Sequence, residues 1–156
     1  MIEGVVKAYK ICLLGVEVAG SIPASPTRIG FNQGTSSALI CFYKGKMDKR
    51  IITLITDFGM RDGYVGIMKG VISGINPDAS VIDVSHQVAP QDISEAAAIL
   101  KDSYRYFPKG AIHLVVVDPG VGGSRRPIIV ETPDYTFVGP DNGVFTPIYE
   151  SGEVLR

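Results

Sequence analysis

Short apolar runs alternate with amphipathic stretches from about residue 47 to the end of the chain. The β-branched apolar run from Arg50 to Thr56 predicts a buried strand, because such a strand carries apolar side chains on both faces. The predicted strands are Arg50 to Thr56, Ser80 to Val84, Ala111 to Val117, Pro127 to Glu131 and Tyr135 to Val138.

Two helices are predicted between these strands. The first spans Tyr64 to Ile75 and is ended by Asn76-Pro77, and its apolar face is formed by Val65, Met68, Val71, Ile72 and Ile75. The second follows Asp92, which has capping-box spacing to Glu95, and runs to about Phe107. We expect Asp92 to accept a backbone N–H and Glu95 to reach back towards the start of the helix.

The order strand, helix, strand, helix, strand predicts an α/β fold. It is typical of a mostly parallel sheet with helices on both faces, a Rossmann-like three-layer arrangement. Ligands of such sheets bind beyond the carboxyl ends of the strands. Polar residues occur at each of these ends, namely Asp57, Asp83 to His86, Asp118 and Asp141-Asn142. The pattern therefore predicts a binding or catalytic edge.

Each of these residues also has a purely structural interpretation. A single Asp after a strand is more often a turn former or a helix cap than a catalyst. For His86 we expect a hydrogen-bonded loop residue, and for His113 a residue packed or exposed within a strand. The segment 120–123 is either a tight turn or a loop that brings backbone amides close to a ligand. Its spacing matches neither a P-loop nor a dinucleotide fingerprint.

Composition narrows the classes of function. The chain has 156 residues, 46% hydrophobic and 20% charged, with a net charge of -1, which fits one soluble globular domain with a real core. A near-neutral charge gives little basis for binding nucleic acid or a membrane surface, and no apolar run is long enough to span a bilayer. The two cysteines, Cys12 and Cys41, lie outside the predicted domain. Cysteine thus supplies neither disulfide nor nucleophile there, and the cytoplasm is the expected compartment.

Residues 1–46 differ from the rest of the chain. Gly, Ser, Pro and Asn between Gly20 and Ser37 predict that this part has no packed structure. We interpret residues 1–46 as a disordered or non-native leader, and residues 47–156 as the α/β domain.

Five motifs in this domain resemble one enzyme family in order and approximate spacing. They are Thr56-Asp57-Phe58-Gly59, Tyr64-Val65-Gly66 with Met68-Lys69-Gly70, Asp83-Val84-Ser85-His86, Asp118-Pro119-Gly120-Val121-Gly122 with Arg125-Arg126, and Pro140-Asp141-Asn142-Gly143. The family is the S-adenosylmethionine hydroxide adenosyltransferases, also called S-adenosylmethionine hydrolases, which are related to the fluorinating and chlorinating enzymes.

The resemblance implies hydrolysis of S-adenosylmethionine to adenosine and methionine, by attack of water or hydroxide on the ribose 5′ carbon. It implies that Asp118 orients the water and accepts its proton, that Arg125 polarises the water, and that Asp57 binds the ribose hydroxyls. Asn142 is expected to contact the substrate. No metal or other cofactor is implied. The halogenating relatives lack the side chains of Asp118 and Arg125 at the matching positions, which favours the hydrolase.

The resemblance also implies parts that we expect to lie beyond Arg156. These are a third catalytic residue, a His, and a carboxy-terminal β-barrel domain, in a homotrimer whose active sites lie between subunits. We therefore expect the chain alone to bind and hydrolyse S-adenosylmethionine weakly or not at all.

Two alternatives stay open from the sequence. A metal-dependent phosphohydrolase would use Asp57, Asp118 and Asp141 as magnesium ligands, with Arg125 and Arg126 binding phosphate. A non-catalytic fragment that binds a nucleoside is the other alternative.

Overall fold

The fold is built on a five-stranded sheet with the strand order β2-β1-β3-β5-β4. The structure, a computed structural model, describes residues 50–120 and 126–155. The strands are β1 (Ile51–Thr56), β2 (Ser80–Ser85), β3 (Ile112–Val116), β4 (Pro127–Glu131) and β5 (Thr136–Pro140). Four of them run parallel, whereas β4 pairs with β5 in the antiparallel sense at one edge. The predicted mostly parallel sheet is confirmed.

Helices cover both faces of the sheet, as predicted. Helix α1 (Tyr64–Ile75) lies on one face, while α2 (Ile93–Ser103) and the short α3 (Thr146–Glu150) lie on the other. Successive strand residues point to opposite faces, so neighbours such as Leu114 and Val115 belong to different buried clusters. Burial of each such side chain contributes about 1.5–3 kcal/mol to stability.

Helix α1 has the predicted bounds and uses much of the predicted apolar face. Val65, Met68 and Ile72 are buried, whereas Val71 and Ile75 are only partly covered. Met68 and Ile72 join the cluster that contains Leu54 and Leu114 of the two central strands. The helix thereby fixes the return of the chain from β1 to the edge strand β2.

Helix α2 begins as predicted and ends earlier. The Asp92 side chain caps it by accepting the N–H of Glu95 at 2.9 Å. Glu95 does not return to the cap residue, because its Oε2 accepts the N–H of Ala89 at 2.7 Å instead. After Ser103 the chain tightens into a 3-10 helix, Tyr104–Tyr106, where the sequence predicted a continuous helix.

Glycine is required at position 139 of β5, beside β3. A Cβ atom at Gly139 would lie 2.8 Å from the backbone oxygen of Val115 and 2.8 Å from Cζ of Phe145. Real Cβ atoms do not approach backbone oxygen so closely, so the strand can pack here only without a side chain. This close approach places the turn after β5 beside the carboxyl end of β3.

His113 lies inside the sheet and is only 1% exposed. Its Nδ1 is 2.8 Å from Oγ1 of Thr53 on the neighbouring strand, and its ring stacks on Phe137 with 5.2 Å between centroids. Burial lowers the pKa of His113 from its usual 6.5 to about 4. Of the two expectations for this residue, the packed one is correct.

Candidate active-site edge

The carboxyl ends of the parallel strands place Asp57 and Asp118 on one edge of the sheet. Thr56 at the end of β1 is paired with Val116 at the end of β3. Asp57 directly follows the last residue of β1, and Asp118 comes two residues after the last residue of β3. β1 and β3 are neighbours in the sheet and neighbouring strands are about 4.8 Å apart, so the chain reaches both residues at the same edge of the sheet. Both are partly exposed, as a substrate contact requires.

The Asp57 carboxylate is held by the loop before α2. Its Oδ2 accepts the N–H of Gln91 at 2.9 Å. Gln91 has a φ of 66°, which is a left-handed conformation that non-glycine residues rarely adopt. Because an ionised carboxylate has several acceptor sites, this contact leaves capacity for ligand hydroxyl groups.

Asp118 starts the loop after β3. Its Oδ1 accepts the N–H of Gly120 at 2.9 Å, which is a local turn contact of the kind that Asp commonly makes. Residues 121–125 follow, so the predicted catalytic Arg125 and the glycine segment beyond Gly120 lie outside the described residues.

The Asn142 side chain joins two strand ends. Its Nδ2 donates to the backbone oxygen of Val117 at 2.9 Å, and its Oδ1 accepts the N–H of Val144 at 3.2 Å. Both ends of the amide therefore bind backbone groups, and this residue fixes the turn after β5 against β3. A substrate contact of Asn142 stays a prediction.

Thr56, His86 and Asp83 form a series of polar contacts next to Asp57, which runs from buried Thr56 to the exposed Asp83. Oγ1 of Thr56 lies 2.8 Å from Nδ1 of His86, and Nε2 of His86 lies 3.0 Å from Oδ1 of Asp83. The second pair is within ion-pair distance but is not aligned as a hydrogen bond. Nζ of Lys69 binds Oδ2 of Asp83 at 2.6 Å.

This chain of contacts changes the sequence-based picture of the strand end. Asp83 lies within β2 and pairs with Lys69 of α1, while the strand ends at Ser85, inside the predicted segment 83–86. Partial burial alone would raise the pKa of Asp83, but the hydrogen bond and charge of Lys69, together with the nearby His86 ring, outweigh it and lower that pKa below its usual value. His86 is only 4% exposed and hydrogen-bonded, as expected. Thr56 was missed, because a Thr inside an apolar run gives no sign of a distant partner.

Asp141 and Arg126 lie at the outer end of the edge. Their closest side-chain atoms are 3.9 Å apart, and both side chains are largely exposed. Such a pair contributes little to stability because water screens it. Among the residues that the structure describes, no three His, Cys, Asp or Glu side chains gather in a way that could hold a metal ion. The described residues thus give no support to the magnesium-dependent alternative.

These features define an α/β domain with an acidic edge at the ends of its two central strands. Residues 52–156 match the model of the SAM hydroxide adenosyltransferase N-terminal domain. The chain therefore belongs to the S-adenosylmethionine hydroxide adenosyltransferase family, as its motifs predicted. The described part of the chain contains no helix that is long and apolar enough to cross a membrane.

Named relatives match the same region. A protein of Methanocaldococcus jannaschii named (R)-S-adenosyl-L-methionine hydrolase is 49% identical over 111 residues, covering 68% of this chain and 42% of the relative. A protein of the same name from Thermus thermophilus is 43% identical over 97 residues, covering 62% and 38%. A fluorinase of an Actinoplanes species is 25% identical over 123 residues, covering 64% and 41%. The chain thus spans about two fifths of the length of these relatives.

Solved structures share the fold. A conserved hypothetical protein from Thermus thermophilus aligns with a TM-score of 0.61 at 41% identity, covering 65% of this chain and 43% of that one. An uncharacterized conserved protein from Thermotoga maritima aligns with a TM-score of 0.63 at 45% identity, covering 67% and 40%. The α/β fold predicted from the sequence is therefore shared with these relatives.

Proposed function

We propose that this chain provides the amino-terminal part of an enzyme that hydrolyses S-adenosyl-L-methionine to adenosine and L-methionine. The observation that carries the proposal is the position of Asp57 and Asp118 at the ends of adjacent central strands, in a member of this family. The substrate is a small molecule, and we propose that no metal or further cofactor takes part. The cytoplasm is the proposed compartment.

The reaction needs a water molecule held in line with the bond between carbon and sulfur. Bulk water has a pKa of about 15.7, so the site must orient the water and accept its proton as the new bond forms. We assign both tasks to Asp118, whose carboxylate emerges from the buried strand β3 at the sheet edge. Arg125 polarises the water in this proposal. The bond from the 5′ carbon to sulfur breaks, and methionine leaves as a neutral thioether.

Asp57 is assigned to the ribose. A vicinal pair of hydroxyl groups suits a carboxylate that can accept two hydrogen bonds. The Gln91 N–H holds one oxygen of Asp57, so the carboxylate meets the sugar in a fixed orientation. Asn142 would contact the substrate while keeping its hydrogen bonds to Val117 and Val144.

The remaining groups would come from the part of the family proteins that this chain does not match. We propose that a His and a β-barrel domain from that part complete the site within a homotrimer. The chain alone should then turn over S-adenosylmethionine poorly or not at all.

A chimera tests this proposal directly. Residues 47–155 would be joined to the part of the Methanocaldococcus jannaschii relative that follows its matching region. We expect the chimera to convert S-adenosylmethionine to adenosine and methionine, measured by liquid chromatography and mass spectrometry. In ¹⁸O-labelled water the label should appear in the 5′ hydroxyl of adenosine. A folded chimera without activity, or label outside adenosine, would overturn the proposal.

Single variants of the chimera separate the roles. We expect Asp118→Asn to lower kcat by about 10²- to 10⁴-fold, as for loss of a general base. Asp57→Asn should mainly raise KM, by about tenfold or more, because it weakens charged hydrogen bonds to the ribose. Asp134→Asn is the matched control, since its carboxylate pairs with the exposed Lys109 at 3.0 Å, and it should leave both constants unchanged.

A further inference from the structure

The loop after β2 holds the segment after β1 on both sides of Asp57. Four contacts join the two segments. They are His86 Nδ1 to Thr56 Oγ1 at 2.8 Å, Gly59 N–H to the backbone oxygen of His86 at 2.7 Å, Val88 N–H to the backbone oxygen of Thr56 at 3.4 Å, and Gln91 N–H to Asp57 Oδ2 at 2.9 Å.

His86 makes two of these contacts, and they lie on either side of Asp57 in the sequence. Its ring binds the residue before Asp57, and its carbonyl oxygen binds Gly59, two residues after it. Gly59 has a φ of 70°, a turn conformation that suits glycine. A movement of His86 would therefore shift both ends of the segment that carries the carboxylate.

The neighbours of the His86 ring determine its protonated nitrogen. Asp83 is an acceptor and lies next to Nε2, so the proton belongs on Nε2 and leaves Nδ1 as an acceptor. Oγ1 of Thr56 already accepts the N–H of Phe58 at 3.3 Å and can donate its own proton to Nδ1. In this series of contacts the Thr56 hydroxyl therefore donates towards His86, and Nε2–H of His86 faces Asp83.

The Asp83 carboxylate, at the outer end of these contacts, is also held in place. Lys69 binds the second oxygen of Asp83 at 2.6 Å, so the carboxylate next to the His86 ring is itself held in place. Thr56 and His86 are 0% and 4% exposed. Burying polar groups is costly unless they are paired, and paired groups in a packed site have few orientations available.

We propose that Thr56 and His86 are positioning residues that set the orientation of the Asp57 carboxylate. The pair fixes the end of β1, and the loop that His86 begins then delivers the Gln91 N–H to Oδ2 of Asp57. The functional part of this inference rests on the proposed role of Asp57 in ribose binding. Neither residue touches the substrate in this arrangement.

Amide hydrogen exchange in the 156-residue chain tests the anchoring without substrate. Thr56→Val removes the hydroxyl and keeps the shape of the side chain. We expect it to speed exchange of the Gly59 and Gln91 amides about tenfold relative to Leu114 in the sheet centre, as for loss of one buried contact. Thr56→Ser keeps the hydroxyl and should preserve the wild-type ratio.

Thr53→Val is the matched control. Thr53 lies in the same strand, is fully buried and also binds a buried histidine, but that contact is in the sheet centre. This variant should leave the exchange ratio of Gly59 and Gln91 to Leu114 unchanged. If Thr56→Val does not change the ratio, or if Thr53→Val changes it equally, the anchoring is wrong.

Kinetics of the chimera test the functional part. We expect Thr56→Val to raise KM about three- to tenfold with less than about a twofold change in kcat. In the Asp57→Asn background the same change should raise KM by less than about twofold, because the group being positioned has lost its charge. Equal effects in both backgrounds would overturn the inference even if the wild-type chimera is active. An inactive wild-type chimera would overturn the proposed function instead, and hydrogen exchange would then decide the anchoring alone.

Discussion

Acid should weaken this fold through His113. The folded chain keeps the imidazole neutral, because burial among Tyr104, Phe107, Tyr135 and Phe137 lowers its pKa to about 4. Within the described residues, Nε2 has no hydrogen-bond partner that would stabilise a second proton. The unfolded chain binds that proton with the usual pKa of about 6.5. The stability that the neutral His113 imidazole contributes is therefore fully present above pH 6.5 and is lost as the pH drops towards 4.

The magnitude follows from the difference between the two pKa values. A shift of about 2.5 units corresponds to about 3.4 kcal/mol once both states are protonated. Between pH 7 and pH 5 the expected loss is about 2 kcal/mol. With a urea dependence of about 1–3 kcal/mol per molar, this loss lowers the unfolding midpoint by about 1 M.

His113→Asn isolates the effect of the imidazole. Its side-chain amide can occupy the place of Nδ1 and keep the bond to Thr53, but it does not titrate. The missing ring atoms lower stability equally at both pH values and cancel in the difference. Urea unfolding at pH 7 and pH 5 should show the loss of about 2 kcal/mol in the wild type and not in the variant. Equal losses in both proteins would refute this account of His113.

Three further changes test the packing and the helix start by thermal or urea unfolding. Gly139→Ala should destabilise the chain by about 1–3 kcal/mol, because its Cβ would lie 2.8 Å from the backbone oxygen of Val115. Gly74→Ala should instead stabilise it by up to about 1 kcal/mol, since nothing lies within 4 Å of the added carbon in α1. Asp92→Ala should cost about 1 kcal/mol through loss of the cap on the Glu95 N–H.

The elements with strong local patterns could be predicted from the sequence. Helix α1 has the predicted bounds because its apolar residues repeat with helical spacing and Asn76-Pro77 ends it. The end of α2 was harder to predict, since Tyr104 is buried 4 residues after Leu100 and continues the apolar spacing into the 3-10 turn. The strand order and the antiparallel edge strand β4 depend on pairing between distant segments, which local patterns do not contain.

The candidate site was predictable in its positions and less so in its contacts. Asp57 and Asp118 follow apolar runs, so their place at the strand ends could be inferred. The bond from Gln91 to Asp57 spans 34 residues, and the pairing of Thr56 with His86 spans 30. No local spacing rule predicts which backbone N–H or hydroxyl group will meet a given carboxylate after folding.

The strand order also explains why the acidic edge lies where it does. The chain leaves β1 towards β2 on one side, then returns across β1 to form β3 on the other side. Helices α1 and α2 consequently lie on opposite faces, and the ends of β1 and β3 form a topological switch point, the place where ligands of such sheets bind. The order of the strands, rather than any one side chain, sets this position. Substitution of Asp57 or Asp118 should therefore leave the switch point in place.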